Sequence, residues 1–483
     1  NGNITGNWYE SGFVGALTGN KDTIITLSSC TNNGIITGNN YAGGLVGLYY
    51  NNDNMMITIS NSINNGNVTG SDSCIGGMVG IIINNTKMTM TISNSTNNAI
   101  VIGSGYHVGG FVGRIWNNTN MVMSISNSSN NGRIAGSFNN VGGFVGVFWT
   151  NTNINITIIN SVNNGIISAS LHGVGGFIGH AYSNLNSVMI ISNSVNNGNV
   201  TESEDNVGGF IGFLASNMIM KVNLSNLTNN GITAGKDYVG GFVGNVLSLS
   251  PWQSVTLDII NGANKGSTSA TKGMACGIFC VYSENNVNIK TTVKNSINKG
   301  SVDAGTNGYG ITNIITEARN VVSMGDVTGP SGSFTFWNAS TDVDLFYGLD
   351  GKCINCSDGA TLFQHNTNTG FYEVVGTGEH VDDLLNDESV NQHFGMVWSS
   401  QLELVDKVTL TVNVSGLWNG TLLAELGTQL NEVGNLSDYF NDEELCVGDG
   451  DRQPRITFKP THLVTRNMNV VVGRCMGVTV GAP

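Results

Sequence analysis

Apolar and polar positions alternate along this chain in short bursts, not in long amphipathic faces. In "ITISNS" (57–62), Ile57 and Ile59 fall on one side and Thr58 and Ser60 on the other, the two-residue period of a half-buried strand. Two further extended segments follow, "GNVTG" (66–70) and "IGGMVG" (75–80), each punctuated by Gly or Asn as turns require. No helical periodicity is present, and Gly recurs too often for helices to form.

This set of segments returns at a fixed interval. The leading position of the Gly pair falls at Ser11, Gly43, Gly76, Gly109, Gly142, Gly175, Gly208 and Gly240, then at Cys276 and Tyr309 in degenerate form. The steps are 32 or 33 residues, with a single step of 36. A second marker, "NSxNNG", keeps the same beat from Asn61, Asn127, Asn160 and Asn193, with variants from Asn94, Asn226 and Asn295. Stepping by 33 yields aliphatic files: Ile59, Ile92, Ile125, Ile158, Ile191; Val68, Val101, Ile134, Ile167, Val200; and Ile75, Val108, Val141, Val174, Val207. A repeat that cannot bury its own apolar face alone must stack on its neighbours. The pattern predicts an all-β fold: a parallel β-helix with three strands per 33-residue coil and about ten coils, followed by a smaller β-rich C-terminal region.

Two positions carry detailed expectations. Asn61 shares the parity of Ile57 and Ile59, so its copies are expected to turn inward and stack as an amide ladder. The Phe file (Phe111, Phe144, Phe177, Phe210, Phe242) adjoins an equally apolar Val file that includes Val112 and Val145. Either a bulge at the Gly pair turns both inward, or one file faces outward and wants a partner.

Composition divides the chain. Asn is frequent, at 70 of 483 residues, and charged residues make up only 11%. Residues 1–330 hold 13 Asp/Glu against 12 Lys/Arg, whereas residues 331–483 hold 20 against 7. The boundaries expected are a solenoid over 1–330, an acidic connecting region over 331–400 and a small β-rich domain over 401–483. Neither part has the basic surplus that tracks phosphates, which argues against nucleic acid as a partner. No apolar run is long enough to cross a bilayer. No charged-then-apolar leader opens the chain, so a leader is expected to have been removed or further sequence to precede Asn1.

The unit "ISNSxNNGxVxG…VGGFVG" resembles the GLUG-motif repeats of bacterial surface adhesins and secreted peptidases, whose "GGLVG" core stands here at Gly43 to Gly47. The resemblance covers about two-thirds of the chain and implies a surface or secreted β-solenoid, without implying an activity. The C-terminal segments "TLTVNVSG" (409–416), "LLAELGTQL" (422–430) and "MNVVVGR" (468–474) read as strands and resemble small β-grasp-like repeats of secreted surface proteins.

An extracellular setting makes sequons and cysteines relevant. Of fifteen N-x-S/T sequons, Asn94, Asn127 and Asn226 would occupy the inward corner, and Asn84 and Asn117 would crowd each other one coil apart. Asn67, Asn199, Asn338, Asn419 and Asn435 are the expected glycosylation sites. Cys353 with Cys356, and Cys446 with Cys475, are the expected disulfide partners. Cys276 and Cys280, on one extended strand, are expected to be too far apart to join unless a bulge intervenes.

Catalytic chemistry is sparse. A β-helix enzyme needs paired carboxylates, or Arg/Lys beside Asp, over neighbouring coils. His107, His172 and His180 are read as lacking a carboxylate in register. "ESED" (202–205) is read as a solvated loop without a basic partner, and "TDVDLFYGLDG" (341–351) and "DGDRQ" (449–453) as surface turns, not Ca²⁺ loops. No cofactor, metal or catalytic residue is expected. Tyr50, Trp116, Trp149 and Tyr182 share one phase of the repeat, a file of aromatics suited either to covering a strand end or to binding sugar rings or protein. The opening "NGNITG" begins in mid-repeat, and its unpaired edge suggests head-to-tail self-association. The expectation is an extracellular structural or adhesive glycoprotein, or a fibre subunit that self-assembles head-to-tail, with glycans or other surface proteins as partners. A carbohydrate-active enzyme on a β-helix is the alternative.

Overall fold

The computed structural model describes residues 2–337, except 139, 203, 249, 251, 283–287 and 324–326, together with the backbone of six short strands beyond them. The chain divides into two compact units: 1–292 with 298–315 and 325–337, and 293–297 with 316–324 and 338–483. The first is a parallel β-solenoid. In the second, Phe363–Asn366 pairs antiparallel with Phe371–Val374, and Val408–Thr411 with Arg455–Phe458. No helix among the described residues is long and apolar enough to cross a membrane.

One coil shows the construction: strands Thr89–Ser93, Thr96–Asn97, Val101–Gly103, Val108–Gly109 and Val112–Trp116. Each pairs in parallel with its own equivalent one coil away. Ile92 lies between Ile59 and Ile125, and Val101 between Val68 and Ile134. Val108 lies between Ile75 and Val141 in the same way. All of these side chains are fully buried. The sheets through Val101–Gly103 and Val112–Trp116 hold eleven and nine strands.

The expected third strand is in fact two, in separate sheets, because the chain turns a corner at the Gly pair. A Cβ on Gly110 would lie 2.0 Å from the Gly143 carbonyl oxygen, and one on Gly109 2.0 Å from that of Val112. Only glycine permits so close an approach of backbones. This corner settles the Phe file. Phe111 and Val112, though adjacent, both face the core, and the Phe111, Phe144, Phe177 and Phe210 rings stack at centroid spacings of 4.7–4.8 Å.

Asn61 differs from expectation. It is exposed, at φ +50°, as are Asn94 and Asn127 at +48°. Asn tolerates this left-handed conformation better than most residues. The kink reverses the strand's alternation, so that Ser62 and Asn64 point inward instead. Later copies of Asn61 do ladder, but on the outside: Asn226 Nδ2 donates to Asn193 Oδ1 and Asn261 Nδ2 to Asn226 Oδ1, each at 2.9 Å. The buried ladder comes from the copies of Asn64. Asn64 Nδ2 donates to Asn97 Oδ1 at 3.0 Å, Asn97 to Asn130 at 2.9 Å and Asn130 to Asn163 at 2.8 Å. Asn97, Asn130 and Asn163 also donate to a carbonyl two residues on, as Asn130 does to Gly132 at 3.1 Å. A second buried ladder runs through Asn52, Asn85, Asn118, Asn151, Asn184 and Asn217.

Asn94, Asn127 and Asn226 are therefore on the outside, not in an inward corner. Asn117 does stack on Asn84, donating to it at 2.8 Å. Cys276 and Cys280 form a disulfide, contrary to expectation. The corner at Gly277 and Ile278 separates Ala275–Cys276 from Phe279–Val281 and brings the two Cα atoms to 5.6 Å. Asn338, Asn419, Asn435, Cys356, Cys446 and Cys475 lie outside the described residues, as do the side chain of Cys353, the segment 449–453, most of 341–351 and most of the region read as β-grasp-like.

The ladders predict a sharp contrast between neighbouring residues. Asn130→Ala leaves buried partners unmatched on both sides and is expected to cost about 2–4 kcal/mol. Asn131→Ala, in an exposed ladder, is expected to change stability by less than about 0.5 kcal/mol. Denaturant midpoints of the two variants check this.

Candidate ligand-binding groove

The outer face of the sheet through Val112–Trp116 carries the least repetitive side chains of the solenoid. Its floor is the register file Leu48, Ile81, Arg114, Val147, His180, Phe213 and Asn245. One wall is the file two residues further on: Tyr50, Ile83, Trp116, Trp149, Tyr182 and Ala215. The expected aromatics are thus brought together, with Ile83 interrupting the file. Trp116 and Trp149 stack at 6.0 Å, and Tyr182 meets Trp149 edge-on at 6.1 Å.

The opposite wall is a file of left-handed residues that precede the Gly-pair strand: Tyr41, Cys74, His107, Asn140, Gly173, Asn206 and Tyr238, all with φ between +51° and +83°. These residues lean on the floor of the next coil because a glycine lies beneath them. A Cβ on Gly113 would sit 2.7 Å from the Cys74 carbonyl carbon. Gly173 alone in this file has no side chain. Beside it lies a cavity of about 420 Å³ bounded by Val147, His180 and Phe213 below, by Trp149 and Tyr182 on one side, and by Asn140, His172, Asp205 and Asn206 on the other. A Cβ on Gly173 would already approach Asn140 Oδ1 to 3.0 Å.

The polar lining is ordered by hydrogen bonds. His180 Nδ1 donates to Asn140 Oδ1 at 2.9 Å, and Asn140 Nδ2 donates to His107 Nδ1 at 3.1 Å. Burial holds both imidazoles neutral, with repulsion from nearby cationic groups adding to it. His107 is pushed well below its ordinary value, and His180 down to about 3. His172 Nδ1 lies 3.7 Å from Asp205 Oδ2. A carboxylate therefore does lie in register with a histidine, since residues 172 and 205 are 33 apart. The "ESED" segment also differs from a solvated loop: Glu204 pairs with Lys236, and Glu202 and Asp205 belong to strands.

Glu202 stands where neighbouring coils place Ala169 and Gly235. Both of its carboxylate oxygens are sealed without a partner. Burial, reinforced by Asp205 and Glu204, pushes its carboxyl up to about 10. Among the described residues, no cluster of His, Cys, Asp and Glu forms a metal site.

Arg114, Asn140, Gly173 and the His172–Asp205 pair were not singled out as site residues from sequence. Their signal lay in the register, which sets Asp205 under His172 and Val147 under Arg114.

Glu202 supplies a pH prediction. A folded value of about 10 against an ordinary 4.5 means that the folded state keeps a proton the unfolded state releases, so stability falls as pH rises from 4.5 toward 10. Glu202→Gln is expected to raise the denaturation midpoint at about pH 8 and to match the parent near pH 4. In that variant, His107 and His180, neutral when folded, leave an acid-side loss of stability as pH falls below about 6.5. Denaturation midpoints across this range check both signs.

No family model, curated protein or solved structure matches this chain.

Proposed function

We propose that this chain is an extracellular adhesive protein that binds glycans on the flank of its solenoid. The observation that carries the reading is the opening beside Gly173, with indole and phenol rings on one side and amide, imidazole and carboxylate groups on the other. Pyranose rings present an apolar face that packs on aromatics and a rim of hydroxyls that needs such partners. The GLUG resemblance and the Cys276–Cys280 disulfide support a location outside the cell. Self-association of the native protein belongs to the same reading, and a concentration-independent monomer in sedimentation velocity would count against it.

A glycan-cleaving enzyme is the second reading, favoured by the His172–Asp205 pair. Binding is preferred because Asp205 is the one carboxylate lining the cavity among the described residues, whereas glycoside hydrolysis draws on two facing carboxyl groups. New reducing ends released from a bound glycan would reverse that preference.

Two variants test the binding site. Trp149→Ala is expected to weaken glycan binding about tenfold or more. Gly173→Asn introduces a residue that this file already uses at Asn140 and Asn206, so the fold should persist while the cavity fills and binding is lost. Titration calorimetry with a glycan panel reads both, and unchanged affinity in both variants would sink the assignment.

Asn67 and Asn199 are proposed to carry glycans. Both are exposed, four coils apart, and each Oδ1 accepts a backbone N–H from the next coil, that of Ile100 at 3.1 Å and of Ile232 at 3.0 Å. Attachment at Nδ2 preserves those bonds. Intact mass of native material before and after deglycosylation is expected to differ, and identical masses would remove the glycoprotein assignment.

A further inference from the structure

Arg114 is a buried cation with no counter-ion among the described residues. It is 9% exposed, with its guanidinium carbon 4.0 Å from the Trp116 ring centroid and 4.5 Å from that of Trp149. It hydrogen-bonds the Cys74 thiol, which burial pushes up to about 12 and so keeps neutral. Tyr41, also nearby, is raised by burial, and His107 is neutral. Among the described residues no carboxylate pairs with Arg114, and its Nε has no hydrogen-bond acceptor. Withdrawing a charge from water without a partner is costly. The two indoles offset part of this through cation–π attraction, yet they accept no hydrogen bond in the guanidinium plane.

Arg114 also has a defined place relative to the cavity. It pairs in register with Val147, part of the cavity floor, and shares Trp149 with the cavity wall. Asp205 stands next to His172. A cation thus stands one register step from the cavity floor at Val147, and a carboxylate, Asp205, lines the cavity itself.

We propose that the groove selects a carboxylated saccharide, a uronic-acid residue whose carboxylate meets Arg114 while its ring lies along Trp149 and its hydroxyls face Asp205 and His172. This rests on the glycan-binding reading above. The planar fork of a guanidinium matches a carboxylate in two parallel hydrogen bonds, and Asp205 repels the reverse orientation.

The test uses the full chain and trisaccharides of galacturonate, glucuronate and mannuronate, each paired with its carboxyl-reduced neutral counterpart. At least one acid is expected to bind about tenfold more tightly than its neutral partner, with the difference shrinking as salt rises. Arg114→Gln should abolish that preference and Arg114→Lys should keep part of it. The acid–neutral comparison on the unaltered protein needs no variant to fold. Equal affinities within every pair, still lost in Trp149→Ala, would overturn the role of Arg114 and leave glycan binding standing. Binding of no member would overturn both.

Discussion

In-register parallel hydrogen bonding between successive turns places every residue against its own equivalent. Aliphatic files satisfy this constraint without difficulty, because like packs on like at about the 4.8 Å strand spacing. Buried polar groups satisfy it only if they are self-complementary. The primary amide is, having a donor and an acceptor on one group, and so Asn fills the corners as continuous ladders. Charge is not self-complementary. Like charges stacked at that spacing repel, which accounts for a solenoid region of 330 residues with only 13 acidic and 12 basic side chains.

A structure built on repetition makes chemistry possible only where the repetition lapses. On the outer face of one sheet a single file reads Ile81, Arg114, Val147, His180, Phe213. On the facing wall, Gly173 leaves the space that Asn140 and Asn206 fill in adjacent coils. The groove is these coinciding lapses held by a regular scaffold. The backbone beneath His180 is as firmly paired as that beneath any core valine, so the site inherits the rigidity of the repeat.

Glu202 is a different kind of lapse. A carboxyl group in a position otherwise held by Gly or Ala, with both oxygens unpartnered, has no compensating contact in its own coil. Its burial favours the protonated form, and that makes a stretch close to the groove sensitive to pH through the scaffold, independently of the ligand.

Much of this architecture was legible in the order of residues. The 33-residue beat fixed which side chains lie above one another, so Ile59, Ile92 and Ile125, or Trp116 and Trp149, could be matched by counting. Counting also holds the pairing of His172 with Asp205, 33 residues on, against the expectation that the histidines lack a carboxylate in register. What counting could not supply was direction. A left-handed Asn61 reversed the inside and outside of the residues after it, a Gly pair turned Phe111 and Val112 toward one core, and a corner brought Cys276 to Cys280. The wall formed by Asn140 and Gly173 meets its floor from a different coil, about 40 residues away. The sequence alone determined neighbours along the axis, because a period is a property of order; neighbours across the coil depend on where the backbone turns, and only the packed tertiary structure decides that.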